Sequence, residues 1–310
     1  MQSTGQYPPF SRRGRPVPRR RSFRPGFAAL AAVLLGVALA GCERPVVAVV
    51  LDPLIAVASP SAAAALSGFT MPGARTRVST LDARSPDAAA AVFDSVVALA
   101  SPLALRFLAE LPPELLPPSV MAVDAPVPRE LADRTRVASF DRSAAWKAAG
   151  ALFGELSAIE DGGIAAVLLV EGPARPAARA DDFALSYRSV TGRDATKSVL
   201  PADASQAAFD SAISGLLRLD LRFAVVAAGA RTPEAVRRLA AAGIVVAADS
   251  ALADAALVLE DDWTAALERL AAGDDAPVLP SRLARGPAFA AAAARFPALA
   301  EAADGFPRAR

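Results

Sequence analysis

Short runs of almost uninterrupted apolar residues, separated by helical segments, constrain the fold of this chain most strongly. Val46–Leu51, Ile164–Val170 and Leu221–Ala227 are rich in Val, Leu and Ala and show little alternation with polar residues. Such strands are buried on both faces, which is typical of parallel sheets covered by helices on each side. The segments between them are rich in alanine, a strong helix former. The sequence therefore predicts an α/β fold with parallel sheets.

The alternation of strands and helices runs twice along the chain, which predicts two Rossmann-like lobes. The first series covers residues 42–135, and the second starts again at Arg136–Phe140 and covers 136–248. Because 249–273 is too short for a domain, we expect it to return to the first lobe. Residues 274–310 form a tail rich in Pro and Ala, with a helix expected over 287–303.

The first 42 residues have the order of a bacterial lipoprotein signal. Seven arginines and no acidic residue precede the apolar run Phe27–Ala40, which is followed by Gly41 and Cys42, the only cysteine. The run is shorter than the ~20 apolar residues that a spanning helix needs. We therefore expect 1–41 to be a signal peptide and Cys42 to carry lipid. The alternative is an N-terminal anchor that stays attached, with Cys42 incidental.

The net charge of the chain argues against two classes of binding partner. The net charge is +1 for the whole chain and −6 once the seven arginines of residues 1–41 are removed. A mildly acidic surface disfavours nucleic acid and a polybasic grip on anionic lipid, because both need clustered positive charge. We expect a monomer in the bacterial cell envelope, attached to a membrane only through lipid on Cys42 and facing the periplasm or the exterior.

Three stretches resemble type I periplasmic-binding proteins. Val137–Asp141, followed by a helix that contains Ala148–Gly150, is similar to the crossover strand of that family and the first helix of its second lobe. Arg179–Phe183 resembles the R-x-x-G-F helix of the family. Val226–Ala230, with the following helix and Ile244–Asp249, resembles the next repeat, and is most similar to the basic membrane protein branch of lipoproteins that bind nucleosides.

This resemblance implies two lobes, joined by crossover strands, that close on a small ligand and deliver it to an ABC importer. We expect a lipid-anchored solute-binding protein for a small polar ligand of the sugar or nucleoside class, working with an ABC permease. The alternative is an envelope lipoprotein of the same fold that serves in sensing or in contact with a partner protein.

Candidate ligand-binding residues follow the predicted strands, since ligands of α/β sheets bind beyond the carboxyl ends of the strands. These candidates are Asp52, Ser101, Asp141, Arg142, Gly229 and Asp249. Further polar residues at the same edges are Asp82, Asp124, Glu171, Arg175 and Arg231. The resemblance places ligand contacts at Asp141 and Asp249. For each aspartate the alternative is a structural cap of the next helix or turn.

The sequence argues against an enzyme. It contains no histidine, and its one thiol is expected to carry lipid. No nucleophile elbow, phosphate-binding loop or dinucleotide fingerprint is present. We expect no cofactor and no metal. Asp261-Asp262 and Asp181-Asp182 are expected to be solvated helix caps. A hydrolase that works through paired carboxylates is the third alternative.

Overall fold

The computed structural model describes residues 44–51, 60–80, 95, 97–159, 163–172 and 175–307. Cys42, Asp52 and Asp82 lie outside these residues. None of the helices in the described ranges is both long enough and apolar enough to cross a membrane.

The described strands alternate with helices along most of the chain. The strands are β1 (Val46–Leu51), β2 (Arg75–Thr80), β3 (Val97–Ala100), β4 (Ser119–Val123), β5 (Thr135–Asp141), β6 (Ile164–Val170), β7 (Thr196–Leu200), β8 (Leu221–Ala227), β9 (Val245–Ala248), β10 (Leu257–Glu260), β11 (Val278–Pro280) and β12 (Arg282–Arg285). The helices are α1 (Pro60–Ser67), α2 (Pro102–Ala109), α3 (Ser143–Ile159), α4 (Ala178–Thr191), α5 (Gln206–Leu217), α6 (Thr232–Ala241), α7 (Trp263–Ala272), α8 (Phe289–Arg295) and α9 (Pro297–Ala302).

These strands form two six-stranded sheets. The first has the order β11-β5-β4-β3-β1-β2, and all of its neighbouring strands are parallel. The second has the order β12-β10-β9-β8-β6-β7 and is parallel except for the antiparallel pair β10 and β12. The prediction of two parallel α/β lobes is therefore confirmed.

Helices cover both faces of each sheet, which explains why the strands are apolar throughout. In the first lobe, α1 and α7 pack on one face and α2 packs on the other. In the second lobe, α3, α4, α8 and α9 share one face with the aromatic core, and α5 and α6 lie on the opposite face. Residues of β6 and β8 alternate between the two cores, so both sides of these strands are buried.

Helices α3 and α4 pack closely against each other on one face of the second sheet. Helix α3 passes α4 at Gly150, where an added Cβ would lie 2.4 Å from the carbonyl oxygen of Phe183. Trp146 is 2% exposed in this core, and Phe153 stacks on Phe223 with ring centroids 5.2 Å apart. Trp146 is therefore a core residue, not a wall of a ligand site.

The chain passes between the lobes three times. Residues 141–143 connect β5 to α3, residues 260–263 connect β10 to α7, and residues 280–282 connect β11 to β12. Strand β5 continues beyond the end of β4, because Val123 lies opposite Ala138 while Ser139–Asp141 pair with β11. These three crossovers join the two lobes.

Strand pairing places three segments differently from the sequence prediction. Strand β5, expected to begin the second lobe, lies in the first sheet. Strand β10, expected in the first lobe as part of 249–273, pairs with β9 in the second sheet, and only α7 of that segment packs on the first. The segment 274–310 is not a separate tail, because β11 and β12 extend one sheet each. Strand β11 has only three residues, Val278–Pro280, which is too short for sequence analysis to recognise as a strand.

Candidate functional site

The site begins with Arg142, which lies in the first crossover and contacts two carboxylates. Its Nε donates to Oδ2 of Asp261 at 2.9 Å, and its Nη2 contacts the same oxygen. Nη2 also donates to Oδ2 of Asp124 at 2.7 Å. Because the guanidinium group is planar, it can hold both acceptors in fixed directions, which a lysine could not do.

The other two crossovers contribute to the same cluster. Asp261 follows β10 in the second crossover and accepts a hydrogen bond from the Ser281 hydroxyl in the third. The backbone N–H of Ser281 donates to the carbonyl oxygen of Asp141 at 2.9 Å. Side chains or backbone groups of all three crossovers are thus joined around Arg142. We call Asp124, Arg142, Asp261 and Ser281 the hinge cluster.

Asp124 adopts an unusual backbone conformation at the carboxyl end of β4. Its φ of 52° is positive, which is uncommon for a residue with a side chain but tolerated by aspartate. Its N–H donates to the carbonyl oxygen of Ala138 at 2.7 Å, so pairing with β5 holds it in this conformation. The turn directs the carboxylate of Asp124 to Arg142.

Burial and mutual attraction shape the charges of the hinge cluster. Burial disfavours the charged form of Arg142, but Asp261 and Asp124 outweigh it, so the pKa of Arg142 is raised. Burial also raises the pKa of Asp261, which Arg142 and Ser281 only partly offset. The side chains of Arg142 and Asp261 are 18% and 15% exposed, so their attraction is screened less than that of a surface pair.

A second group of polar residues lies at the carboxyl ends of β6, β8 and β9. Asp249 follows β9, and its Oδ2 lies 3.8 Å from Nη1 of Arg175. Thr232, whose hydroxyl accepts the Ala228 N–H at 2.8 Å, lies close enough to Asp249 to favour its ionised form. Burial raises the pKa of Asp249 to about 6, although Arg175, Thr232 and Arg142 each favour the ionised form. The influence of Arg142 links this group to the hinge cluster.

Gly229 makes room for Arg175. Gly229 has a φ of 60°, and an added Cβ there would lie 2.8 Å from Nη2 of Arg175. The Nε of Arg175 donates to the carbonyl oxygen of Val170 at 3.3 Å, which turns the side chain back along the end of β6. Glycine at 229 is therefore needed both for its backbone conformation and for the position of the guanidinium group.

The structure brings some of the predicted site residues together and separates others. Arg142 and Asp249 belong to the connected polar groups, and Gly229 supports Arg175. Asp141 is exposed, and its Oδ1 accepts the N–H of Ser143 at 3.0 Å, in the manner of a turn at the start of α3. Ser101 is 3% exposed at the end of β3, and its hydroxyl has no hydrogen-bond partner among the described residues.

Two further residues have roles that differ from their sequence interpretation. Arg231 donates to the carbonyl oxygen of Ala204 at 2.7 Å and lies 5.3 Å from the ring centre of Phe209, so it supports the second lobe. Asp261 was expected to be a solvated cap, but it lies in the hinge cluster. Asp262 does cap α7, since its Oδ1 accepts the N–H of Ala265 at 3.0 Å.

Sequence reasoning missed Asp261 and Ser281 as members of the site. Asp261 follows the apolar strand β10 closely, as Asp249 follows β9, so the same signal was available for both. No signal was available for Ser281, because it follows a three-residue strand. Within the described residues no group of three or more His, Cys, Asp or Glu side chains is arranged to hold a metal ion.

Comparison with solved structures places the architecture in a known class. The chain is similar to a transcriptional activator of the comK gene from Bacillus halodurans, with 9% identity over 85% of this chain and 100% of that chain, at a TM-score of 0.54. It is also similar to an ABC transporter solute-binding protein from Aeropyrum pernix K1, with 15% identity over 85% of this chain and 87% of that chain, at a TM-score of 0.51. No protein-family model and no curated protein sequence matches the chain.

The two sheets, their interleaved helices and these similarities define the type I periplasmic-binding-protein architecture. At identities of 9% and 15%, the similarity extends to the fold alone. One similar structure is described as a solute-binding protein and the other as a transcriptional activator, so the fold by itself is compatible with transport and with regulation.

Proposed function

We propose that this chain is a solute-binding protein that captures a small polar ligand between its two lobes by closing about the hinge. The observation that carries the proposal is the group formed by Asp249, Arg175 and Thr232 at the carboxyl ends of the second sheet. The Arg175–Asp249 distance of 3.8 Å is too long for a hydrogen bond, so hydroxyl groups of a ligand can bond to both side chains.

The charges of the site favour a ligand without net charge. Arg142 lies between two carboxylates, and Arg175 lies beside a third. A neutral ligand with several hydroxyl groups matches such alternating donors and acceptors without leaving a buried charge unpaired. We therefore propose the sugar or nucleoside class. The sequence after β1, Asp52-Pro53-Leu54-Ile55, contains no aromatic ring on which the base of a nucleoside could stack. This favours a sugar over a nucleoside as the ligand.

The envelope location is part of the proposal. The order of basic residues, apolar run and Cys42 supports export and attachment through lipid on Cys42. Delivery to an ABC permease is the process that this architecture and location would serve. The surface of the released chain, with its calculated net charge of −6 without residues 1–41, supports a monomer that binds no nucleic acid.

A thermal-shift screen of the full chain against monosaccharides, polyols, nucleosides and amino acids tests the proposal. A ligand present at a hundred times its dissociation constant adds about 2.7 kcal/mol to the free energy of unfolding. We expect a stabilising sugar or nucleoside whose effect disappears in Asp249→Ala. Stabilisation only by amino acids would reject the ligand class, and stabilisation that survives in Asp249→Ala would reject the site.

One observation favours the alternative of an envelope lipoprotein that senses or contacts a partner protein. The Nε and Nη2 groups of Arg142 already donate hydrogen bonds to Asp261 and Asp124. Arg142 therefore has fewer donor groups left for a ligand than its position beyond β5 suggests. If no small molecule in the screen stabilises the chain, a role in sensing or in contact with a partner protein is favoured over a role in transport. Co-purification of an ABC permease with the chain would instead support transport.

A further inference from the structure

A large pocket lies mainly on the first lobe and shares Asp261 with the hinge cluster. It runs between α1 and α7 and ends at the second crossover, with a volume of about 960 Å³, near the upper end of the range for ligand pockets. Arg142, Arg175 and Asp249 are outside its described lining. We call it the α1–α7 pocket; its lining includes Ala64, Phe69, Asp262, Trp263, Leu267 and Glu268.

Aromatic and aliphatic side chains form the walls of this pocket. Phe69 and Leu267 belong to the core beneath α1 and α7, and Trp263 packs at its margin. Trp263 is held in place by Phe140, with ring centroids 5.5 Å apart. The pocket is wide because α1 and the end of α7 present small side chains to it, including Ala64 and Ala271. Such walls suit an aromatic or branched apolar body.

The charged groups in the described lining are all carboxylates. Asp261 is engaged by Arg142, and Glu260 by Arg282 at 2.8 Å. Asp262 and Glu268 also line the pocket, and Glu268 lies on an exposed part of α7. The pocket lining described here includes no lysine or arginine. Since two of the four carboxylates are paired with arginines, Asp262 and Glu268 give the pocket its negative side, which favours a cation over an anion of the same size.

From these walls and charges we infer that the α1–α7 pocket is a second binding site, for a small amphiphilic cation with an apolar ring and an ammonium group. The ring packs between Phe69 and Trp263, and the ammonium group lies near Glu268. The tryptophan face adds a cation–π attraction to that of the carboxylates. The described lining shares Asp261 with the hinge cluster but contains none of Arg175, Thr232 and Asp249, so this inference does not depend on the proposed sugar or nucleoside site.

The two tryptophans of the chain allow a direct test. Trp146 is buried in the second lobe, whereas Trp263 lines the pocket, so the full chain with Trp146→Phe reports on Trp263 alone. We expect phenethylamine to change the emission excited at 295 nm in a saturable way. We expect 3-phenylpropionate, which has a similar apolar body and the opposite charge, to bind about tenfold more weakly or worse. If Trp146→Phe does not fold, the change in emission of Trp263 is obtained by subtracting the change measured for Trp263→Phe from that measured for the unmodified chain.

Three variants decide where the amine binds. Glu268→Gln should weaken phenethylamine binding by about threefold or more without weakening 3-phenylpropionate binding. Ala64→Phe should abolish binding by filling the pocket, since residue 64 is exposed and lines it. Ser67→Phe, which adds the same ring to an exposed position of α1 outside the described lining, should leave binding unchanged. Equal binding of amine and acid, the absence of saturable binding, or full binding to Ala64→Phe would each overturn the inference.

Discussion

Arg142 and Asp261 are 119 residues apart in the chain, yet the Nε of Arg142 donates to Oδ2 of Asp261 at 2.9 Å. One residue follows β5 and the other follows β10, so the bond joins two of the three crossovers. Ser281 brings the third crossover to the same carboxylate. The connection between the two lobes is therefore held together by side chains of the connecting segments themselves. Under the proposed closing of the lobes, this cluster would have to accommodate their movement.

Loss of Arg142 should destabilise the protein strongly. Arg142→Ala leaves Asp124 and Asp261 without their cation, and breaking a buried pair in this way costs about 3 kcal/mol. Arg142→Lys should recover only part of the loss, because one ammonium group cannot reproduce the forked contacts. Urea unfolding measures both variants. Arg238→Ala, which removes a more exposed pair with Asp210, should cost about 1 kcal/mol or less. Equal losses for Arg142→Ala and Arg238→Ala would contradict a structural role for the hinge cluster.

Asp249 and Asp141 should respond differently to removal. In Asp249→Ala, ligand affinity should fall about ten- to a hundredfold, because hydrogen bonds to charged groups contribute roughly 1.5–3 kcal/mol. In Asp141→Ala, the lost turn bond to the Ser143 N–H should cost about 1 kcal/mol of unfolding free energy. Calorimetric binding and urea unfolding on both variants separate the two effects. If Asp249→Ala changes stability but leaves the affinity unchanged, Asp249 is structural.

The raised pKa of Asp249 predicts a pH dependence of stability. The pKa is about 6 in the folded protein against the ordinary value of 3.8, so the folded state binds more protons between these values. The contribution of Asp249 is fully present below pH 3.8 and is lost as the pH rises through 6, a change of about 3 kcal/mol.

Asp249→Asn is the control for this pH dependence. Its free energy of unfolding should decline less between pH 4 and pH 7 than that of the unmodified chain. A smaller decline of the same sign should remain, because burial also raises the pKa of Asp261. Identical pH profiles for the variant and the unmodified chain would show that Asp249 does not titrate in this way.

Two glycines provide a matched test of whether Gly229 is needed to position the guanidinium group of Arg175. Gly229→Ala should destabilise the protein by about 1–2 kcal/mol, since the residue has a positive φ and the new Cβ would displace Arg175. It should also weaken ligand binding. Gly215→Ala, on an exposed part of α5 with open space around it, should stabilise the protein by about 0.5–1 kcal/mol. Urea unfolding and ligand titration check both variants, and an unaltered affinity in Gly229→Ala would place Arg175 outside the site.

The proposed lipid on Cys42 has a simple chemical test. Cys42→Ala removes the only thiol in the chain, so the variant should take up no palmitate analogue in cells and should remain an unprocessed precursor. The unmodified chain should be labelled and shortened. A variant that is still labelled would show that the lipid is attached elsewhere.

The two parallel sheets follow from the local sequence alone. Apolar runs such as Ile164–Val170 and Leu221–Ala227 have to be covered on both faces, and the alanine-rich helices between them supply that cover. Sequence reasoning also placed Arg142, Gly229 and Asp249 just beyond the carboxyl ends of strands, where the structure has them, while their part in ligand binding stays a prediction.

The residues that meet at the crossovers, and the sheet to which each short strand belongs, became visible only in the folded chain. Strand β11 is only three residues long, and its place beside β5 depends on backbone pairing that local sequence does not encode. The contact of Arg142 with Asp261 and Ser281 exists because three separate crossovers pass the same point. A long-range meeting of this kind depends on the path of the whole chain. Residue type and spacing could therefore suggest a cap for Asp261, but could not reveal its partner.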